Sequence, residues 1–339
     1  MTSRHFYEIS PRGEIHELST LEEALAFRGD GFIWLDFCEP AREDLEQLIE
    51  PLDLHPLSVE DCLDENQIPK VEDYPRHTFL LFNGFHFGVD KIAIYEVDMF
   101  IGERVLVTVH HEDENNQAYL SGLERFVKQD IQNGCQGPAF LAHVILDGIV
   151  DRKFAAIEAL EDELNSAEEM VLDNPSQFDP AVLLRLRREL LALRKSLFHE
   201  REVLVKICRN DCRFISERAI LMYRDIYDHL AKFFELTESY RDIVTSLMEM
   251  YLSILNNQMA KAANDTNATV RRLTFITTIF MPLTLLAGVG GMSEWSMMTG
   301  PENWRIAYPA FLLGMATLGV ASYFLLKWIE KRGKDKDGS

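Results

Sequence analysis

Leu285-Leu-Ala-Gly-Val-Gly-Gly-Met-Ser-Glu-Trp-Ser-Met-Met-Thr-Gly-Pro-Glu-Asn-Trp-Arg-Ile-Ala-Tyr-Pro309 carries a short polar loop between two apolar stretches. The first runs from Leu273 to Gly290 and the second from Ile306 to Leu326, and neither contains Asp, Glu, Lys, Arg or His. Each reaches the roughly 18–20 residues that a helix needs to cross about 30 Å of hydrocarbon. The pattern predicts a membrane hairpin tied to a much larger soluble body.

Charge and hydropathy bound the rest. The 339 residues carry a formal net charge of −21, and the mean hydropathy is −0.10. A chain lying mostly in lipid would be far more apolar, so most of it is expected to be soluble, with room for one or two domains. The acidic balance argues against nucleic acid, whose phosphates call for Lys and Arg. Five scattered cysteines, Cys38, Cys62, Cys135, Cys208 and Cys212, suit a reducing compartment. The opening Met1–Glu8 lacks the apolar core of a cleavable signal. Arg271 and Arg272 precede the first span, and Lys327, Lys331, Arg332, Lys334 and Lys336 follow the second. Arg305 in the loop is offset by Glu294 and Glu302. The positive-inside rule then predicts both termini in the cytoplasm and the loop outside, and the expected location is the inner (plasma) membrane.

Up to about His111 the sequence alternates short β-rich runs with turn signals. Gly31–Phe37, Thr78–Phe87 and Arg104–His110 are the clearest strands. Thr20–Phe27, Ala41–Ile49 and Pro56–Leu63 read as helices. Strand order is not legible. After Gly137 the texture is helical, and no Gly or Pro falls between Pro180 and Pro282. Val182–Lys206 is expected to be one helix and Arg209–Arg213 a turn, with a second helix running from about Ile215 into the membrane. The expected divisions are an α/β domain over 1–136, a helical stalk over 137–272, spans over 273–290 and 306–326, an outer loop over 291–305 and a basic tail over 327–339.

Two helices cannot enclose an aqueous path, so transport would require several copies around an axis. Val270, Leu273 or Thr274, Thr277, Met281, Thr284 and Gly288 recur at steps of three or four along one stripe, continued by Gly291-Met-Ser. The stripe suits two roles: lining a pore, or packing helix on helix with threonines bonded back to their own carbonyls.

Phe280–Ser293 with Trp304–Pro309, Leu54-His-Pro-Leu-Ser-Val-Glu-Asp-Cys-Leu63, Gln67–Tyr74 and Tyr223–His229 together resemble the CorA family of divalent-cation channels. The resemblance spans most of the chain. It implies an α+β fold and a funnel-shaped homopentamer with self and membrane lipid as partners. It also implies a long stalk helix that lines the pore and a second span outside it. The family's outer motif is Gly-Met-Asn preceded by Tyr, and here Gly290 precedes Gly291-Met292-Ser293. A ring of serine hydroxyls is wider and weaker than a ring of amides, and Mg²⁺ gives up its waters reluctantly. The departure tilts the expectation toward the zinc-transporting branch or toward broad divalent permeation. By the same resemblance, Met281, Thr284 and Gly288 face the pore, with Thr277 joining them from the stripe, and Val270 and Leu273 form a hydrophobic gate. Asn267 and Glu249 line its cytoplasmic part, and Asp225 pairs with a partner near Asp90 in a regulatory metal site between subunits.

Other clusters carry less. Cys208 and Cys212, at i and i+4, could ligate a soft metal or stand as free thiols beside a turn. His110-His111-Glu112 ends a strand, where neighbouring histidines point apart. No nucleophile–base arrangement or phosphate-binding glycine loop stands out, so the reading is no enzyme and no ATP-driven pump. Spans without carboxylates or imidazoles lack the usual groups of a proton relay. The expected function is downhill uptake of Zn²⁺ and other transition divalents with no permanently bound cofactor. The alternatives are a Mg²⁺ channel or a non-conducting membrane-anchored sensor.

Overall fold

The computed structural model describes residues 3–64, 67–87, 92–110, 127, 130–291, 300 and 302–336. The chain divides into two compact units, Met1–Tyr251 and Leu252–Ser339.

In the first unit the strands are β1 (Ser3–Ile9), β2 (Ile15–Leu18), β3 (Phe32–Cys38), β4 (Lys70–Asp73), β5 (Thr78–Phe87), β6 (Ile92–Ile101) and β7 (Val105–His110). They form one sheet in the order β2-β1-β3-β7-β6-β5-β4. The central pair, β3 and β7, is parallel, with Leu35 opposite Val107 and Cys38 opposite His110. The other described pairs are antiparallel. Strands buried on both faces lose the alternation that marks a half-wet strand, and every residue of β3 is buried.

Helices α1 (Leu21–Leu25), α2 (Arg42–Leu52) and α3 (Pro56–Asp61) cover one face. Leu35, Phe37, Phe79, Leu81, Phe100, Val107 and Val109 of the sheet meet Leu45, Leu48, Val59 and Cys62 there. Burying each large side chain contributes about 1.5–3 kcal/mol. Local sequence sets the helix starts. Thr20 Oγ1 accepts from the Glu23 amide and Glu23 Oε2 from the Ser19 amide, a reciprocal cap. Pro56 occupies the first turn of α3 behind His55, whose Nδ1 accepts from the Leu57 amide. Helix α2 continues past Ile49 through Pro51 and ends at Asp53, whose backbone is left-handed.

After a single turn, α4 (Ile131–Gly134), come α5 (Pro138–Asp173) and α6 (Ala181–Cys208). Helix α5 packs on β5, β6 and β7. Tight strand pairing is needed beneath it, and at Gly84 any side chain would strike the Tyr95 ring on β6. The Arg209–Arg213 segment turns as the sequence predicts, with Asn210 left-handed. Asp73 Oδ1 anchors that turn to β4 by accepting from the Arg213 amide at 2.9 Å and from the Thr78 hydroxyl at 2.7 Å.

Helix α7 (Glu217–Gly290) is continuous for 74 residues, and α8 (Trp304–Lys336) follows. Tyr223 is wholly buried near the start of α7, and its hydroxyl donates to the Ala139 carbonyl of α5. Ile226, Leu230, Phe233, Val244 and Leu247 repeat at helical spacing as the buried stripe of the same helix.

Candidate ion-conduction site

The second unit contains the end of α7 together with α8. Both helices are long and apolar enough to cross a membrane. From Leu273 to the end of α7 the half-buried residues are Phe275, Ile279, Pro282, Leu283, Leu286 and Gly290. Along α8 they are Ala307, Phe311, Met315, Gly319, Ser322 and Leu326. These two rows meet antiparallel. A Cβ at Gly319 would lie 3.5 Å from Leu283, and one at Gly290 would lie 2.6 Å from the Phe311 ring. Small residues on one helix thus admit large ones from the other.

The candidate pore residues lie on the other side. Val270, Leu273, Thr277, Met281, Thr284 and Gly288 are all exposed. At about 100° per residue, their stripe is centred roughly half a turn from the row that meets α8. Met281 is 77% exposed, and a Cβ added at Gly288 would meet nothing within 4 Å. The threonines are nevertheless bonded locally. Thr274, Thr277 and Thr284 donate to the carbonyls of Val270, Leu273 and Phe280 at 2.8–3.0 Å. Back-bonding settles each proton and leaves the hydroxyl oxygen facing outward as an acceptor. Asn267 and Glu249 are exposed on the same helix. Gly291 continues the helical pattern by donating to the Ala287 carbonyl at 3.0 Å. Met292 and Ser293 lie outside the described residues.

Comparison with known proteins identifies the family. The description "CorA-like Mg2+ transporter protein" matches residues 29–331. The chain belongs to the CorA-like Mg²⁺ transporter family. It is a divalent-metal transporter with two C-terminal transmembrane helices, and it is not an enzyme. The cobalt/magnesium transport protein CorA of Thermotoga maritima is 29% identical over 94% of this chain and 89% of its own length. The zinc transport protein ZntB of Yersinia enterocolitica is 21% identical over 95% of both. The complete structure of the CorA magnesium transporter from Methanocaldococcus jannaschii superposes with a TM-score of 0.70 at 23% identity, covering 97% of each chain.

In the first unit Asp225, exposed on α7, sits 3.7 Å from His229. Sequence reading missed its neighbour Asp147 on α5. Burial, then the charges of Asp151 and Asp225, push the Asp147 carboxyl above its usual range. No sequence signal marks this cluster, because α5 and α7 are distant in the chain. Asp90, the expected partner, lies outside the described residues.

Cys208 and Cys212 are free thiols. Burial and then Asp73 push Cys212 up to about 12, and burial also raises Cys208. Among the described residues no three His, Cys, Asp or Glu side chains converge as a metal site. His110 is engaged inside the sheet, 3.4 Å from Asp36.

Proposed function

We propose that this chain is a downhill uptake channel for divalent cations, assembled as a homopentamer in the inner (plasma) membrane with both termini cytoplasmic. The observation that carries the reading is the exposed, uncharged stripe on α7 opposite its contact with α8. A face left free by the second helix is available to line an axis shared by several copies. Thr277, Met281, Thr284 and Gly288 form its wall, and Val270 and Leu273 form a constriction that gates by dewetting. Asn267 and Glu249 continue the path toward the cytoplasm. The membrane potential supplies a divalent ion with about 4.6 kcal/mol per 100 mV. The spans contain no carboxylate or imidazole to relay protons.

The cargo on this reading is Zn²⁺ and other transition divalents, admitted at an outer ring of Gly291, Met292 and Ser293. Serine in place of asparagine supports it, because a shorter side chain grips a hydrated Mg²⁺ less well. The cobalt/magnesium relative, more similar than the zinc one, favours a second reading in which Mg²⁺ and Co²⁺ pass. Asp225, with Asp147 beside it, supplies one half of a regulatory cation site between copies, the other half coming from the region of Asp90.

Uptake of Zn²⁺ and Mg²⁺ into proteoliposomes, for the native chain and Ser293→Asn, tests the proposal. Zinc flux without magnesium flux, with magnesium gained in Ser293→Asn, is the expected result. Magnesium flux in the native chain supports the second reading. No flux of any divalent ion sinks both and leaves a membrane-anchored sensor.

A further inference from the structure

Helix α6 departs from the acidity of the chain. It carries seven Arg and Lys against three Glu, where the whole chain has a net charge of −21. Its outward row is Leu184, Arg188, Leu191, Lys195 and Phe198, all exposed, at alternating steps of four and three. Leu184, Leu191 and Phe198 are 49, 44 and 49% exposed, an apolar rib set between cations. The outward row of α5 has the opposite character. Asp151, Glu158, Asp162, Glu169 and Asp173 are exposed and fall within roughly 60° of one another around the helix. Helix α5 exposes no Lys or Arg. Among the described residues, none of Arg188, Lys195, Glu158 and Asp162 has an ion-pair partner within the chain.

Two contacts fix how α5 and α6 stand side by side. Lys153 meets Glu200, and Arg185 meets Glu163, so the helices run antiparallel. Interpolating between these pairs puts Glu158 level with Lys195, Asp162 level with Arg188, and Ala155 level with Phe198. Each outward row points away from the other helix, roughly 130–150° round from the residues that join the pair. The matching levels therefore cannot meet within one chain. They can meet between two chains.

We propose that the outward row of α6 docks on the acidic row of α5 in a second copy of this chain. A rotation about an axis along the helices keeps every residue at its level. It sets Lys195 against Glu158 and Arg188 against Asp162, with Phe198 over Ala155. Two different faces meet, so the contact is heterologous and repeats from copy to copy until a ring closes. Pairing α5 on α5 or α6 on α6 would set like charges together. An anionic membrane would attract α6 but repel the α5 row beside it, whereas a second copy complements both. The inference rests on the proposed homo-oligomer and deepens it by naming the surfaces that close it.

Charge reversal tests it in the full-length chain in detergent. Lys195→Glu and Glu158→Lys are each expected to raise by about tenfold the protein concentration at which half the oligomer dissociates. The double variant is expected to return that concentration to within about threefold of native. Unchanged values in both single variants, or a double variant no closer to native than they are, overturn the proposal. Cross-linking reads the geometry directly. In a background lacking the five native cysteines, Glu158→Cys with Lys195→Cys in one chain is expected to give a ladder of disulfide-linked dimers and higher bands in proteoliposomes. Either new cysteine alone is expected to give none. Absence of the ladder, or dimers from a single-cysteine chain, overturns the proposal. Protection of Lys195→Cys from a water-soluble maleimide only in vesicles containing anionic lipid would assign the α6 row to the membrane and also overturn it. Divalent flux and an intact oligomer without the ladder sink this interface alone and leave the conduction reading standing. A monomeric native chain without flux sinks both.

Discussion

The Lys153 ammonium meets the Glu200 carboxylate at a point where neither side chain is exposed to water at all. Lys153 comes from α5 and Glu200 from α6. Ser196 donates to the other oxygen of Glu200 at 2.9 Å, and Asn83 of β5 donates to Ser196 at 2.7 Å. The rings of Phe82 and Phe85 lie 4.2 and 4.5 Å from the ammonium. Sheet and helices are thus joined by one polar chain inside an apolar layer. Burial pulls Lys153 down to about 8, against the opposing pull of Glu200.

Removing one member of that pair strands the other. Lys153→Met or Glu200→Gln is expected to destabilise the first unit by about 3–5 kcal/mol, whereas Lys153→Met with Glu200→Leu together costs far less. Denaturant melts of the full chain in detergent, followed by near-ultraviolet circular dichroism, measure both. Equal losses in single and double variants would refute the coupling.

Two buried histidines give stability opposite pH limbs. Burial, then the neighbouring His55, lowers His77 to about 4. Below pH 6.5 the unfolded chain binds a proton that folded His77 refuses, so this contribution is lost as pH falls toward 4. Burial also pulls His110 down, but hydrogen bonding to Asp36 and Cys38 outweighs it and raises the group to about 10. Its contribution is complete below 6.5 and is lost as pH rises through 10. Thermal melts from pH 4 to 10 should show a flatter acid limb in His77→Gln and a flatter alkaline limb in His110→Gln.

Like charges crowd Asp147. Asp147→Asn relieves repulsion with Asp151 and Asp225 and is expected to raise the melting temperature in the presence of a chelator. Millimolar Mg²⁺ is expected to raise the melting temperature of the native chain, and the same change is expected to remove most of that rise. A Mg²⁺ response preserved in both Asp147→Asn and Asp225→Asn would place any regulatory cation elsewhere.

An apolar constriction blocks ions because water leaves it. Val270→Ser with Leu273→Ser is expected to raise resting Zn²⁺ leak by about tenfold, the factor that ~1.4 kcal/mol of barrier is worth. Single-vesicle flux without an activating gradient change reads it directly. Unaltered leak would move the gate away from these two residues.

Much of this was legible in the chain. The strands over Phe32–Cys38, Thr78–Phe87 and Val105–His110 fall where runs of β-branched and aromatic residues lie between turn signals. The long helix needed only the absence of Gly and Pro, together with apolar residues at helical spacing. Four strands were not picked out: β1 and β2 mix charges into short runs, β4 has four residues, and β6 alternates too irregularly.

What the chain alone determined is whatever depends on neighbours within a turn or two: the two spans, the cap at Thr20, the turn at Arg209–Arg213 and the threonine stripe. Local periodicity decides these, because a helix or strand presents its faces at a fixed angle per residue. Tertiary structure decided which of those faces meet. The parallel pairing of β3 with β7, Asp147 beside Asp225, the Lys153–Glu200 pair and the Phe311 ring over Gly290 each join residues distant in sequence. Their energy comes from packing and desolvation across elements, and no local pattern records that.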